Sequence, residues 1–316
     1  MEKLPVEVIR KILSHLGSAR DVVLASTTCK HLRKGFCLHR HTLSFNSDEM
    51  NAWPIDDELE TIITKTIFQT TGLQYLTIFM DDTHEFRFNA TSVTAWLKYT
   101  RDSLLQLRYN VRTYPNINII ENFNRKKLEV LVLVHNSITS VYPSYLEFPW
   151  LKSLSLSHFS VSALDLSFLL TACPKLETLS LVDPEITMSG PQKTMKVSSS
   201  SLKSFYVEEL RMDKFILEAD FLDSLYLKEC TFEIFKLTGK GTLRVLRIDH
   251  VKVIHLEIGD STENLEVVDV SYSRTIRPEF YRMILKSANL YKIRLWDVIF
   301  DNAVAVVVDL IPHYLP

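Results

Sequence analysis

The feature that most constrains this chain is a repeated spacing of apolar residues. The stretch LEVLVLVHNSI, Leu128 to Ile138, reads L-x-x-L-x-L, then four spacers and an apolar residue. Leu128, Leu131 and Leu133 are spaced three then two apart, which suits a bend followed by a short strand with Leu131 and Leu133 on one face. Asn136 is a turn residue placed where that strand should stop. One such unit cannot bury its apolar side alone and needs a copy stacked on either side. Copies start at Leu151, Leu176, Leu202, Leu222, Leu243, Leu265 and Leu290, and looser ones at Leu73 and Leu104. From Leu128 onward the starting leucines are 23, 25, 26, 20, 21, 22 and 25 residues apart.

Those intervals lie inside the window of roughly 20–29 residues of leucine-rich repeats. From Leu73 to Phe300 the pattern resembles that superfamily. The resemblance implies an α/β solenoid with a parallel β-sheet on its concave face. Helices are expected on the convex side of the early units, at Asp57 to Thr70 with Ile62, Ile63, Ile67 and Phe68 on one side, and at Ser92 to Thr100 with Val93, Trp96 and Leu97 inward. A strand is expected at Thr42 to Phe45. From Leu202 to Leu265 the units shorten and leave too few residues for a helix. The segments Phe215–Leu217, Ile234–Leu237 and Val253–Leu256 read as extended there. Pro278 to Ala288 restores a helix, with Phe280, Ile284 and Leu285 inward, and the polar stretch Met188 to Ser201 reads as a surface loop.

Residues 4–41 differ in kind. Leu4, Val8, Ile9, Ile12, Leu13 and Leu16 recur at helical spacing, with Pro5 suited to a first turn and Gly17 to an end. Asp21 can cap a second helix carrying Val22, Val23, Leu24 and Ala25, and a basic segment, Lys30 to Arg40, follows. About 40 residues cannot hide that much apolar surface, so the surplus reads as an interface. The run Leu4-Pro5-x-Glu7-Val8-Ile9, then Ile12, Leu13 and Leu16, Asp21-Val22-Val23 and Cys29-Lys30, resembles an F-box. Leu32 stands where that family often carries Trp. The resemblance implies a three-helix surface for a Skp-family adaptor, built from Leu4, Pro5, Val8, Ile9, Ile12, Leu13, Leu16, Val22, Val23 and Leu32. Ile9, Ile12 and Leu16 are expected to be buried only in that complex. Beside short extended outer runs, the repeats resemble the plant branch of F-box leucine-rich-repeat proteins. The division expected is an F-box at 1–41, about ten repeats at 42–302, the first two loose, and an apolar tail at 303–316, read as a repeat cut short.

Composition narrows the functions. A net charge of −2 gives no bulk attraction to nucleic acid. No window approaches 18 uncharged apolar residues, so no segment is expected to span a membrane. The four cysteines, Cys29, Cys37, Cys173 and Cys230, form no C-x-x-C pair and suit buried free thiols in a reducing compartment. The chain therefore reads as cytoplasmic, nuclear or both.

No motif carries chemistry. There is no G-x-G-x-x-G, P-loop, G-x-S-x-G or H-E-x-x-H. His39-Arg40-His41 lacks a Cys or acidic partner at ligand spacing, Asp81-Asp82 reads as a solvated loop, and Gly239-Lys240-Gly241 as a bare turn. No catalytic residue, metal or cofactor is expected. What remains is a binding surface, since residues between the leucines point to the concave face. One row there runs Thr77, Arg108, Val132, Ser155, Ser180, Tyr206, Tyr226, Arg247, Asp269 and Arg294. The next runs Phe79, Asn110, Val134, Ser157, Val182, Glu208, Lys228, Asp249, Ser271 and Trp296. Tyr, Arg and Trp are the types enriched at interface hot spots. Tyr206, Tyr226, Lys228, Arg247, Arg294 and Trp296 are therefore the candidate contacts for a protein substrate. The reading is a non-catalytic substrate receptor of a cullin–RING ubiquitin ligase. The alternatives are a repeat scaffold without ligase attachment, and a small-ligand co-receptor, which the wide spacing of Arg108, Arg247 and Arg294 disfavours.

Overall fold

The computed structural model describes residues 41–46, 56–80, 87–122, 127–139, 147–188, 193–273 and 287–297. It also describes single positions: Leu4, Pro5, Val8, Ile9, Lys11, Ile12, Thr28, Lys30, Leu32, Gly35, Val141, Phe280, Ile284 and Leu285. The chain divides into two compact units, Met1–Leu151 and Lys152–Pro316. The class is α/β, and the strand pairings set out below are parallel.

In the first unit, β1 (Thr42–Asn46), β2 (Tyr75–Phe79), β4 (Gln106–Asn110) and β6 (Val130–Val134) pair side by side. The loose units at Leu73 and Leu104 thus join in full register, Leu76 opposite Leu107 and Leu107 opposite Leu131. Shorter strands β3 (Arg87–Asn89) and β5 (Arg112–Tyr114) pair with each other, and β7 spans Ser137–Ile138. Helix α1 (Asp56–Gln69) buries Leu59, Ile63 and Ile67. Phe68, expected on that inner side, is 41% exposed, because it lies one position past Ile67 and so about 100° round the helix. It rests instead edge-on against Tyr99, ring centroids 5.0 Å apart. Helix α2 (Ala90–Thr100) begins at Asn89, whose side chain accepts the Thr91 N–H at 2.8 Å. Its buried face holds Val93, Trp96 and Leu97, and Trp96 Nε1 donates to Thr64 Oγ1 of α1 at 3.0 Å.

The second unit layers two parallel sheets. One runs β8 (Ser153–Ser162), β9 (Thr178–Thr187), β11 (Ser204–Glu208), β13 (Ser224–Lys228), β15 (Val245–Asp249), β17 (Val267–Ser271), β18 (Lys292–Trp296). The other runs β10 (Thr194–Ser198), β12 (Arg211–Glu218), β14 (Thr231–Thr238), β16 (Lys252–Glu257). The expected extended segments lie in β12, β14 and β16. The stretch expected as a loop, Met188 to Ser201, contains β10. Met195 and Val197 alternate within it and are 2% and 1% exposed, and the strand pairs with Lys214–Glu218. Between the sheets Phe215 of β12 stacks on Phe205 of β11 at 5.7 Å and on Phe235 of β14 at 5.6 Å. Helix α3 (Ala163–Thr171) takes the outer side after β8. Ser162 caps it, accepting the Asp165 N–H at 2.9 Å, and Leu166, Leu169 and Leu170 are buried. In the expected last helix Phe280 and Ile284 are buried and Leu285 is half-buried.

Each repeat from Leu128 onward turns in the same way. His135, Glu209, Glu229, His250, Tyr272 and Asp297 directly follow their strands, His158 and Asp183 sit at the same place inside the longer β8 and β9, and all eight have φ between 44° and 56°, in the left-handed region. The Glu209 N–H still reaches Lys228 O at 3.0 Å and the Glu229 N–H reaches Asp249 O at 2.8 Å, so the ladder continues through the corner. At Gly239 a side chain is excluded, because a Cβ would sit 2.4 Å from the Ala219 carbonyl oxygen.

Candidate protein-interaction surfaces

Two surfaces emerge, one near the N-terminus and one on the second unit's larger sheet. At the first, the Val8 and Ile9 N–H groups both bond to the Pro5 carbonyl, at 3.1 and 3.2 Å, winding a helical turn. Leu4, Pro5, Val8 and Ile12 are exposed. Val8 and Ile12 are one helical turn apart and 42% and 46% exposed, so they share an outward apolar stripe. Ile9 departs from expectation: it is 1% exposed in the chain alone, because it lies on the other side of the same turn. Leu32, also expected on the adaptor surface, is 6% exposed. Leu13, Leu16, Val22 and Val23 lie outside the described residues, as do Asp81, Asp82, His39, Cys29 and Cys37. His41 is spent on the chain itself, its Nδ1 lying 3.0 Å from Gly72 O.

On the sheet, both expected rows are in register. Ser155 faces Ser180, Ser180 faces Tyr206, Tyr206 faces Tyr226, Tyr226 faces Arg247, Arg247 faces Asp269 and Asp269 faces Arg294. The second row runs from Ser157 through Glu208 and Lys228 to Trp296 in the same way. Intervening apolar residues, Phe205 and Val207, Leu225 and Leu227, Val268 and Val270, point into the core, giving the half-buried and buried alternation of β11, β13 and β17. Tyr206, Tyr226 and Lys228 are half-buried, while Arg247, Arg294 and Trp296 are exposed.

Tyr206 and Tyr226 meet edge to face, centroids 5.0 Å apart. Beside them Glu208 accepts from both Lys228 Nζ and the Tyr206 hydroxyl. Burial pushes the Glu208 carboxyl pKa up, but those two hydrogen bonds outweigh it and hold the group below the usual carboxylate range. Lys228 is correspondingly raised, chiefly by its bond to Glu208. Asp249 accepts from Ser271 Oγ at 2.6 Å, and Asp269 lies 3.7 Å from Arg294. The carboxylates of this face were not singled out from sequence. Their signal was the period of two, since Glu208 shares the face of Tyr206 two residues on.

Where the chain approaches these strands, successive repeats present Lys152, Glu177, Lys203, Asp223, Arg244 and Glu266. Lys203 pairs with Glu177 at 3.1 Å, and Arg244 pairs with Asp223 and lies 3.8 Å from Glu266. Five of these residues, with Lys175 and Phe221, line an open groove of about 560 Å³. Cys173 and Cys230 are buried free thiols, both pushed up to about 12 by burial. Among the described residues no group of His, Cys, Asp and Glu could hold a metal, and no helix is long and apolar enough to cross a membrane.

The F-box-like family model matches residues 1–35. The model described as FBD-associated F-box protein At5g56370, LRR repeats, matches residues 93–277, more than half the chain. F-box/LRR-repeat protein At1g67190 of Arabidopsis thaliana is 55% identical over 307 residues, 96% of this chain and 72% of that protein. F-box protein At1g10780 of the same plant is 25% identical over 248 residues, 73% of this chain and 55% of that protein. With an F-box at its start and a ladder of parallel repeats behind it, the chain belongs to the F-box/leucine-rich-repeat family.

Proposed function

We propose that this chain is the substrate-recognition subunit of an SCF-type ubiquitin ligase, working in the cytoplasm, the nucleus or both. The F-box holds a Skp-family adaptor and, through it, a cullin–RING ligase. The repeat sheet holds a protein substrate. The chain contributes proximity and no catalytic group; ubiquitin transfer is carried out by its partners.

The observation that carries the adaptor half is the outward stripe of Val8 and Ile12 on a turn whose Ile9 is buried, within residues that match an F-box. An apolar stripe left in water by the chain itself is available to a partner. The test is a pull-down of a purified Skp-family adaptor by wild type and by Val8→Asp with Ile12→Asp. Charges placed in an apolar interface cost several kcal/mol, so capture should be lost while the melting of the repeats is unchanged. Capture at wild-type yield by the double variant overturns the assignment of this stripe.

A further inference from the structure

Three cations and three carboxylates stand on the larger sheet's open face across β11, β13, β15, β17 and β18 in the two central rows. Lys228 is held by Glu208, and Arg294 lies beside Asp269. Asp249 is engaged by Ser271 and by His250, whose Nδ1 is 3.0 Å away. Arg247 is left over. It is exposed, and its guanidinium makes no hydrogen bond or ion pair among the described residues. Its neighbour in the row, Tyr226, is half-buried, and its hydroxyl likewise makes no hydrogen bond among the described residues. The contrast with Tyr206 is direct, since that hydroxyl is spent on Glu208.

Two unspent donors therefore sit opposite each other on adjacent parallel strands, about 4.8 Å apart at the backbone. A guanidinium only donates, and its strong acceptors are ionised oxygens. The surrounding charges cancel, so this face does not draw polyanions as a field; it offers one local place for one negative group. Beside it lie the Tyr206 and Tyr226 rings, then Ser180 and Ser155, whose small side chains leave the flank of Tyr206 open. The sheet's own backbone groups are paired in the ladder, so recognition falls to side chains.

We infer that Tyr226 and Arg247 form a two-donor seat for a carboxylate on an extended segment of the substrate, with the Tyr206–Tyr226 pair taking an apolar side chain next to it. This rests on reading the sheet face as the substrate surface. Spacing defines the segment. The seat, midway between Tyr226 and Arg247, is about 4.8 Å, one strand spacing, from the midpoint of the tyrosine pair. Successive side chains of an extended peptide point to opposite faces, so the nearest pair on one face is two positions apart, about 6.7 Å, and the acidic side chain leans to close the difference. The segment is thus an aspartate or glutamate with an apolar residue two positions away.

The test is selection of a random seven-residue peptide library, displayed on phage, against the immobilised full chain. Wild type should enrich peptides with an acidic residue two positions from a leucine, isoleucine, methionine or aromatic. Tyr226→Phe, which keeps the ring and removes the hydroxyl, and Arg247→Gln should each lower that enrichment at least tenfold. Arg247→Glu should turn the preference toward lysine and arginine. An acidic preference that survives Arg247→Glu overturns the seat, as does a library with no enrichment over an unrelated repeat protein. Adaptor capture is measured on the same wild-type preparation. Its failure beside intact peptide selectivity removes the ligase attachment and leaves the seat standing.

Discussion

Glu208 and Lys228 occupy one row of adjacent parallel strands, and the Lys228 ammonium donates to one oxygen of the Glu208 carboxylate while Tyr206 donates to the other. The carboxylate is held below its usual range in the folded chain, so its pairing stabilises the fold above the unfolded pKa of about 4.3 and is lost as pH falls through the folded value. Glu208→Gln should therefore melt below wild type at pH 7. The gap should begin to narrow as pH falls below the unfolded value of about 4.3 and close once the folded carboxylate is itself protonated. A gap that persists unchanged in acid shows that the charge of Glu208 is not what stabilises this cluster.

Tyr109 carries a different cost. It is 1% exposed in the row between Ile78 and Leu133, and its hydroxyl has no hydrogen-bond partner among the described residues. Burial raises the phenol far above its ordinary pKa, with Glu60 adding to the shift. Removing an unsatisfied buried hydroxyl while keeping the ring should be neutral or stabilising by about 1 kcal/mol. Denaturant melts of Tyr109→Phe measure this, and a loss of more than about 1 kcal/mol shows that the hydroxyl is satisfied in solution.

The left-handed corners make a test of backbone geometry. Glu209 is exposed with φ 56°. Glycine meets no Cβ clash there, whereas a β-branched residue is at its worst. Glu209→Gly should match or exceed wild-type stability, and Glu209→Val should fall roughly 1–2 kcal/mol below it. Equal stabilities for the two variants would remove the left-handed corner at this position.

β18 differs from the strands before it. Ile293 and Leu295 are 42% and 41% exposed, where Leu246 and Ile248 of β15, at the same places in the repeat, are 0%. Amide exchange through β18 should run at least tenfold faster than through β15, since few apolar contacts hold it. Leu295→Ala should likewise cost less than the roughly 2–5 kcal/mol expected for Ile248→Ala. Protection in β18 equal to that in β15 contradicts this difference.

Much of the sheet was legible because a period of two leaves no freedom. Once Leu131 and Leu133 face inward, Val132 must face out, and the same holds in every copy. The extended outer segments were legible from unit length alone. Helix α3 was not, although Ser162 and Asp165 stand three apart before Leu166, Leu169 and Leu170, because nine residues are too few for periodicity to stand out. β10 was obscured by serines and lysine that surround only two buried side chains, Met195 and Val197. None of the eight corner residues is glycine, and the turn residue that the sequence did mark, Asn136, lies one position past the first of them, His135. At the N-terminus, helical spacing marked Val8, Ile9 and Ile12 as apolar, but not which of them the chain keeps for itself. The pairing of Glu208 with Lys228 needed the register between strands, which a single sequence does not contain.

The alternating charges ahead of the strands, Lys152, Glu177, Lys203, Asp223, Arg244 and Glu266, bear on how such an array can change its length. Each residue is opposite in sign to both neighbours and like in sign to the next ones along. Loss of one repeat, from Leu202 to Phe221, would bring Glu177 beside Asp223, two anions at a place where each now has a cation. Loss of two, from Leu202 to Thr242, would bring Glu177 beside Arg244 and leave the alternation intact. In this part of the molecule, recombination is electrostatically silent only when repeats are gained or lost in pairs.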